Sequence, residues 1–186
     1  PIPGREKEAF ASMGNYLFNK DFLIDILYKD AEDKNSSHDF GKDILPKIFK
    51  TSRVYAYDFR RNRIPGISKK EIGYWRDVGT IKAFWEANMD LRSVKPDFNL
   101  YNKKWPIRTA SYGTPPAKFV FNEDGRRGQA IDSIIGEGSI ISGGKVQESV
   151  IGREVLVDSG AEVKSSLIMD RVKINKDCKI QMSIID

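Results

Sequence analysis

The chain has 186 residues, of which 40% are hydrophobic and 31% are charged, and its formal net charge is +5. This composition is typical of a folded protein and argues against a disordered one. A single cysteine excludes an internal disulfide, the scattered lysines and arginines do not predict a nucleic-acid partner, and no apolar run predicts a membrane span or a membrane partner. We therefore expect a cytoplasmic protein.

The first hundred residues alternate between strand-like and helix-like runs, which predicts an α/β layer architecture. Residues 11–18 have the pattern of a buried strand. Asn19 can then cap a helix that carries Leu23, Ile26 and Leu27 on one face.

A second helix is predicted after Ser36 and Asp39, which stand in capping-box spacing, and Pro46 falls in its early turns. Its apolar positions are Phe40, Ile44, Leu45, Ile48 and Phe49. Residues 53–59 alternate as a strand does, and residues 74–78 predict a short strand or a turn. Thr80 can cap a third helix, whose predicted buried side comprises Ile81, Phe84, Trp85 and Leu91.

Residues 96–130 are rich in proline and glycine and contain isolated aromatic residues. Such a stretch predicts a connecting segment that packs along the protein. We therefore expect a first domain over residues 1–95, a connection over residues 96–130 and a second domain over residues 131–186.

The second domain contains a repeat of 17 residues. Ile or Val recurs six residues apart in triplets that restart every 17 residues, at Ile134, Ile140, Val146, Ile151, Val157, Val163, Ile168, Ile174 and Ile180, and Ile185 opens a fourth triplet. Neither a helix nor a simple strand has this period. Three short β segments per coil, each with a branched residue pointing inward, explain it. The spacing resembles the hexapeptide repeat of a left-handed parallel β-helix.

Residues 73–80 form the segment with the most suggestive chemistry. Asp77 at a strand end, followed by glycine and a capped helix, can present a carboxylate to Mg²⁺, which takes oxygen ligands together with phosphates and water. Two structural roles are also open at this point, because Asp77 could instead pair with Arg76 or cap the next helix.

Two further segments, residues 11–16 and 36–43, carry serine and aspartate that could contact a sugar. A strand and a helix N-terminus explain the same residues without any ligand. His38 has no nucleophile near it in the sequence, so a catalytic triad is not predicted.

The strings ASMGNYLF, SSHDFGKDILP, YWRDVGTI, WPIRT, PPAKFV and AIDSII occur in this order along nearly the whole chain. Together they resemble the signature segments of the bacterial ADP-glucose pyrophosphorylases. This family has a Rossmann-like nucleotidyltransferase domain followed by a left-handed β-helix. It converts ATP and α-D-glucose 1-phosphate into ADP-glucose and pyrophosphate for glycogen synthesis.

The resemblance implies roles for six positions. Ser12, Tyr16, Asp39, Phe40 and Trp75 would contact glucose 1-phosphate. Asp77 would be the catalytic, Mg²⁺-binding carboxylate, acting with a second aspartate from a segment that is not in this chain. The resemblance also implies a homotetramer assembled through the β-helix.

The family's glycine-rich phosphate loop and its Glu-Lys-Pro segment are not found in this sequence. We therefore expect a fragment of the enzyme that is inactive alone. Two alternatives stay open: a non-catalytic regulatory subunit of the same fold, or an enzyme that makes another sugar nucleotide. A hexapeptide acyltransferase is disfavoured, because residues 131–186 contain no histidine to act as its catalytic base.

Overall fold

The computed structural model describes residue 2, residues 4–120, residue 125 and residues 127–186. The chain divides into two compact units, Pro1–Arg61 and Asn62–Asp186. Phe121, one of the aromatic residues of the predicted connection, lies outside the described residues.

The first unit is built on two helical segments. Helix α1 spans Lys20–Glu32, and the side chain of Asn19 caps it by accepting hydrogen bonds from two backbone N–H groups, as predicted. A π-helical turn over Phe40–Ile44 leads directly into the short helix α2, Leu45–Ile48. Ile26 and Ile44 are buried and provide apolar packing for these segments.

Two details of the helix predictions change. Asp39 alone caps the second segment, since its side chain accepts the hydrogen bond from the Lys42 N–H group. The Ser36 hydroxyl instead donates to Asp30, at 2.7 Å. Pro46 does lie in the first turn of α2, directly after the π-helical turn.

The strand predictions for residues 11–18 and 53–59 are wrong for this structure, since neither segment forms a strand, and the second ends in a 3₁₀ turn, Phe59–Arg61. A strand needs a neighbour to accept and donate its backbone hydrogen bonds. Within the described part of the chain, no strand pairs with either segment. Several apolar side chains there are consequently exposed, including Leu17 and Tyr55.

The second unit contains a 3₁₀ turn at Lys69–Glu71 and helix α3, Ile81–Leu91. Thr80 caps α3 as predicted, accepting from the Ala83 N–H group at 3.1 Å. Ile81 was expected on the buried side but is 81% exposed, because it lies at the first helical position. Residues 74–78 form no strand.

The rest of the second unit is a parallel β-helix of about three coils, which confirms the predicted repeat architecture. Its strands are β1 (Lys118–Val120), β2 (Gln129–Ile131), β3 (Ile134–Ile135), β4 (Ile140–Ser142), β5 (Lys145–Gln147), β6 (Val150–Ile151), β7 (Leu156–Val157), β8 (Glu162–Lys164), β9 (Leu167–Ile168), β10 (Lys173–Ile174), β11 (Lys179–Gln181) and β12 (Ile184–Ile185). They form three four-stranded sheets in the orders β1-β4-β7-β10, β2-β5-β8-β11 and β3-β6-β9-β12.

The inward register of the first coil differs by one residue from the prediction. Ile135 and Ile141 pair with Ile151 and Val157, so the spacing between these two coils is 16 residues, while later coils keep 17. The pair Gly143-Gly144 forms a shorter corner in the first coil, and Gly143 has a φ of +72°. Ile141 is fully buried, whereas Ile140 is 38% exposed.

Serine residues connect successive coils at one corner. The N–H group of Ser166 donates to the Ser149 hydroxyl, and that of Ser183 donates to the Ser166 hydroxyl, both at 3.1 Å. Each serine follows a residue in the left-handed region, such as Ser165 with a φ of +47°. The ladder therefore satisfies polar groups at a corner where the backbone is strained.

One outer face of the β-helix is also apolar. Its residues, one from each strand of a single sheet, are Ile134, Val150, Leu167 and Ile184. Helix α3 packs against β9, and the Trp85 indole donates a 3.0 Å hydrogen bond to the carbonyl oxygen of Ser165. This packing fixes the segment that precedes α3 relative to the coils.

Among the described residues, no helix is both long enough and apolar enough to cross a membrane.

Candidate active site

Four of the six predicted site residues lie together in the first unit. The hydroxyl groups of Ser12 and Tyr16 are 2.8 Å apart, within hydrogen-bond distance. The Tyr16 ring packs against the Phe40 ring, with centroids 5.7 Å apart. Asp39 directly precedes Phe40 and is exposed, so its carboxylate is accessible beside this group.

A tight turn brings Ser12 and Tyr16 together. Gly14 has a φ of +76°, which glycine adopts without steric cost, and its N–H group donates to the Ser12 hydroxyl at 3.2 Å. The turn places two hydroxyl groups next to each other on an accessible surface. Hydroxyl groups of this kind can donate to and accept from a sugar or a phosphate.

Asp39 is held by backbone contacts. Its carboxylate accepts from the Lys42 N–H group at 2.7 Å, and its own N–H group donates to Asp43 at 3.3 Å. A Cβ atom at Gly41 would lie 3.4 Å from the Asp39 carboxylate and 3.9 Å from the Tyr16 hydroxyl. Glycine therefore leaves space beside both polar groups.

Sequence reasoning missed two features of this group. Phe18 contacts both rings, with centroids 6.2 Å from Tyr16 and 5.7 Å from Phe40. The spacing of Tyr16 and Phe18 was a usable signal, but the segment was interpreted as a strand. The π-helical turn at Phe40 had no signal in the sequence, although such turns are frequent at functional sites.

Trp75 and Asp77 lie in the second unit, on the irregular segment before α3. Trp75 is 48% exposed, so its ring is available to a ligand. Asp77 is exposed, and one of its carboxylate oxygens accepts from the Gly79 N–H group at 3.0 Å.

Asp77 has neither of the two structural roles considered for it from the sequence. Arg76 lies 3.9 Å from Glu86, and no ion pair joins Arg76 to Asp77 in the described part of the chain. The cap of α3 is Thr80. Among the described residues the second carboxylate oxygen of Asp77 accepts no hydrogen bond, which leaves it free for a cation or a water molecule.

This arrangement fits a metal ion that is held only partly by protein. Within the described ranges, no three His, Cys, Asp or Glu side chains are grouped to enclose a metal ion. Mg²⁺ is commonly bound by one or two carboxylates, with phosphate oxygens and water completing its octahedral shell. Asp77 is suited to such a site and unsuited to a complete protein cage.

Two ranges of the chain match known protein families. Residues 3–94 match the nucleotidyl transferase family, and residues 115–186 match the family described as GlmU-like, C-terminal hexapeptide.

The whole chain is 47% identical to the glucose-1-phosphate adenylyltransferase of Anaeromyxobacter sp. (strain Fw109-5), of which it covers 46%. Over 95% of the chain it is 52% identical to the enzyme of that name from Koribacter versatilis (strain Ellin345), of which it covers 41%. Over 99% of the chain it is 50% identical to that from Shewanella sp. (strain MR-4), of which it covers 43%. The chain thus spans less than half the length of these curated relatives.

These matches confirm the resemblance inferred from the signature strings: residues 3–94 match the nucleotidyl transferase family, residues 115–186 match the GlmU-like hexapeptide family, and the chain as a whole is similar to glucose-1-phosphate adenylyltransferases.

Proposed function

We propose that this chain is part of an enzyme that transfers the adenylyl group of ATP to α-D-glucose 1-phosphate. The products are ADP-glucose, used for glycogen synthesis in the cytoplasm, and pyrophosphate. The proposal rests on the accessible Asp77 carboxylate and on the preformed group of hydroxyl groups and aromatic rings in the first unit. The names of the similar proteins state the same activity.

The sugar phosphate would bind at the first group of residues, and Trp75 is proposed as a contact on the ground of the family resemblance alone. The hydroxyl groups of Ser12 and Tyr16 would bond to the phosphate or the sugar, and Asp39 would accept from sugar hydroxyl groups. The apolar face of the sugar would pack on the ring of Phe40. Such contacts hold the reacting phosphate in place, which accounts for a large part of the rate in phosphoryl transfer.

The reaction needs no general base. A non-bridging oxygen of glucose 1-phosphate, already ionised at neutral pH, attacks the α-phosphorus of ATP, and the bond from that phosphorus to the pyrophosphate oxygen breaks. Asp77 would hold a divalent cation, which we propose to be Mg²⁺, and the ion would neutralise charge on the phosphates. Asp77 is thus the residue of this chain closest to the chemistry.

We further propose the domain division expected from the sequence, with residues 1–95 catalytic, residues 96–130 connecting and residues 131–186 in the β-helix. The β-helix would assemble a homotetramer. A rigid stack of coils is suited to this role, because it presents long, regular outer faces to a partner subunit.

The test is a product assay on the full-length protein that carries these residues. ATP, GTP, UTP and dTTP are each combined with glucose 1-phosphate and Mg²⁺, and the nucleotide sugar is identified by mass spectrometry. We expect ADP-glucose and pyrophosphate in equal amounts. Preference for another nucleotide would instead identify a different sugar-nucleotide synthase, and no product with any of the four would identify a non-catalytic subunit.

A further inference from the structure

Asp30 is the most buried carboxylate in the described part of the chain, with 6% of its surface exposed. It lies in the last turn of α1 and accepts hydrogen bonds from three side chains. The Ser36 hydroxyl donates at 2.7 Å, the His38 Nδ1 atom lies at 2.8 Å, and the Lys47 ammonium donates at 3.3 Å. Nothing in the proposed chemistry uses this residue.

Two of these contacts hold a single strained turn. His38 has a φ of +59°, a left-handed conformation that is unfavourable for a residue with a side chain. The His38 N–H group donates to the Ser36 hydroxyl at 3.1 Å, so both residues bonded to Asp30 are also bonded to each other. Strain of this kind persists only where surrounding contacts determine the conformation.

The strained turn ends at the sugar site. His38 immediately precedes Asp39, whose carboxylate caps the π-helical turn, and Phe40, whose ring packs on Tyr16. The direction in which Asp39 and Phe40 leave the turn therefore depends on the conformation of His38.

We propose that Asp30 is a positioning residue for the sugar phosphate: it holds His38 in the left-handed conformation, so that Asp39 and Phe40 are oriented for binding. This inference rests on the proposed function of Asp39 and Phe40. Asp30 itself stays beneath the surface and does not touch the substrate.

The test is steady-state kinetics of the full-length protein with Asp30→Ala. Loss of contacts that bind substrate and transition state equally raises KM and leaves kcat unchanged. We expect the KM for glucose 1-phosphate to rise about fivefold or more, the scale set by releasing one strained residue. The KM for ATP should change less than about twofold.

Asp33→Ala is the matched control. Asp33 also lies at the end of α1 and also pairs with Lys47, at 2.7 Å, but among the described residues no hydrogen bond joins its side chain to that of Ser36 or His38. This variant should keep the wild-type KM values. An equal rise in KM for glucose 1-phosphate in the Asp30 and Asp33 variants would overturn the proposal, as would no rise in Asp30→Ala.

A double variant separates positioning from general stability. Glycine adopts a positive φ freely, so adding His38→Gly to Asp30→Ala should return the KM for glucose 1-phosphate toward the wild-type value. No recovery would contradict the proposed mechanism. If Asp30→Ala fails to fold, Asp30→Asn keeps the shape of the side chain and is expected to show a smaller rise in the same KM.

Amide hydrogen exchange keeps this inference separate from the proposed function. If the wild-type protein does not use glucose 1-phosphate, the proposed function fails. The turn can still be tested, because residues 36–44 should exchange faster in Asp30→Ala than in Asp33→Ala. Equal exchange in the two variants would show that Asp30 does not hold the turn.

Discussion

Asp30 and Asp77 illustrate two opposite uses of a carboxylate. Asp30 is almost fully buried, and three side chains satisfy its charge, as burial of an ionised group requires. Asp77 is exposed, and its carboxylate accepts a hydrogen bond from the backbone of Gly79. The first residue stabilises the fold, and the second is available to a ligand.

The protonation of Asp30 gives a prediction about stability in acid. The hydrogen bond from Ser36, followed by that from His38, holds the pKa of the Asp30 carboxyl below its usual range. A carboxyl whose pKa is lowered by folding stabilises the protein above its unfolded pKa, and this stabilisation is lost as the pH falls through the folded pKa.

We therefore expect the melting temperature of the full-length protein to fall more steeply between about pH 5 and about pH 3 than that of Asp30→Asn. Differential scanning calorimetry at several pH values measures both curves. Other carboxylates with lowered pKa values that do not interact with Asp30, such as Asp43 and Asp58, are present in both proteins and cancel in the difference. If the melting temperatures of the two proteins fell in parallel with pH, the ionised Asp30 carboxylate would not stabilise the folded state.

At the scale of secondary-structure elements, the corrected register of the β-helix can be tested directly. Val157 and Ile141 are fully buried in adjacent strands, and an unpaired carboxylate there should destabilise the coils by about 3–5 kcal/mol. Val157→Asp and Ile141→Asp should therefore unfold in much less denaturant than the wild type. Circular dichroism during urea unfolding measures the difference.

The controls lie next to the inward positions. Lys164 is exposed, and Ile140 is 38% exposed, so Lys164→Asp and Ile140→Asp should both unfold close to the wild-type midpoint. If Ile140→Asp were as damaging as Ile141→Asp, the register of the first coil would be wrong.

The repeat predicted the coils correctly because neither a helix nor a simple strand places branched residues at this period. The repeat could not identify the inward residues of the first coil. Ile134-Ile135 and Ile140-Ile141 are pairs of adjacent isoleucines, so either member of each pair could face the core. One member of each pair faces the core, and the other belongs to the outer face or the surface. The short corner at Gly143-Gly144 shifts the period by one and decides between them.

The helix caps at Asn19 and Thr80 were also predictable, because a cap is a local interaction. Strands are not local. Residues 11–18 and 53–59 have a strand-like pattern, but pairing requires a partner that the described residues do not supply.

Patterns in the sequence singled out Asp77 and the segments 11–16 and 36–43 but left structural roles open, and the resemblance to a family assigned the six site residues. Asp39 shows why: it does cap a helical turn, as the structural interpretation required, and it is also exposed beside Tyr16 and Phe40. A local pattern cannot separate these two roles. The proximity of Asp39 and Phe40 to Tyr16 becomes apparent only once the turn at Gly14 and the π-helical turn are known.

At the scale of the whole molecule, the chain combines a nucleotidyl transferase segment with a hexapeptide segment and spans less than half the length of its relatives. Helix α3 joins the two kinds of segment through the hydrogen bond from Trp85 to the β-helix. Because Asp77 lies just before the cap of α3, the β-helix helps to fix the position of the proposed metal-binding carboxylate.

We propose that Asp77 holds a divalent cation against the reacting phosphates. In Asp77→Asn the amide keeps the shape but removes the charge, so the full-length protein should fold normally and bind the metal more weakly. Charge stabilisation of this kind is worth about 3–4 kcal/mol, or roughly two to three orders of magnitude in rate. Glu86→Gln, which removes a carboxylate near Arg76, should keep wild-type turnover.

The most direct measurement is kcat as a function of Mg²⁺ concentration, with the melting temperature determined on the same samples. We predict that Asp77→Asn lowers kcat by about a hundredfold or more, raises the Mg²⁺ requirement and leaves the melting temperature unchanged. Turnover within about threefold of wild type at saturating Mg²⁺, roughly 0.7 kcal/mol, would contradict the claim.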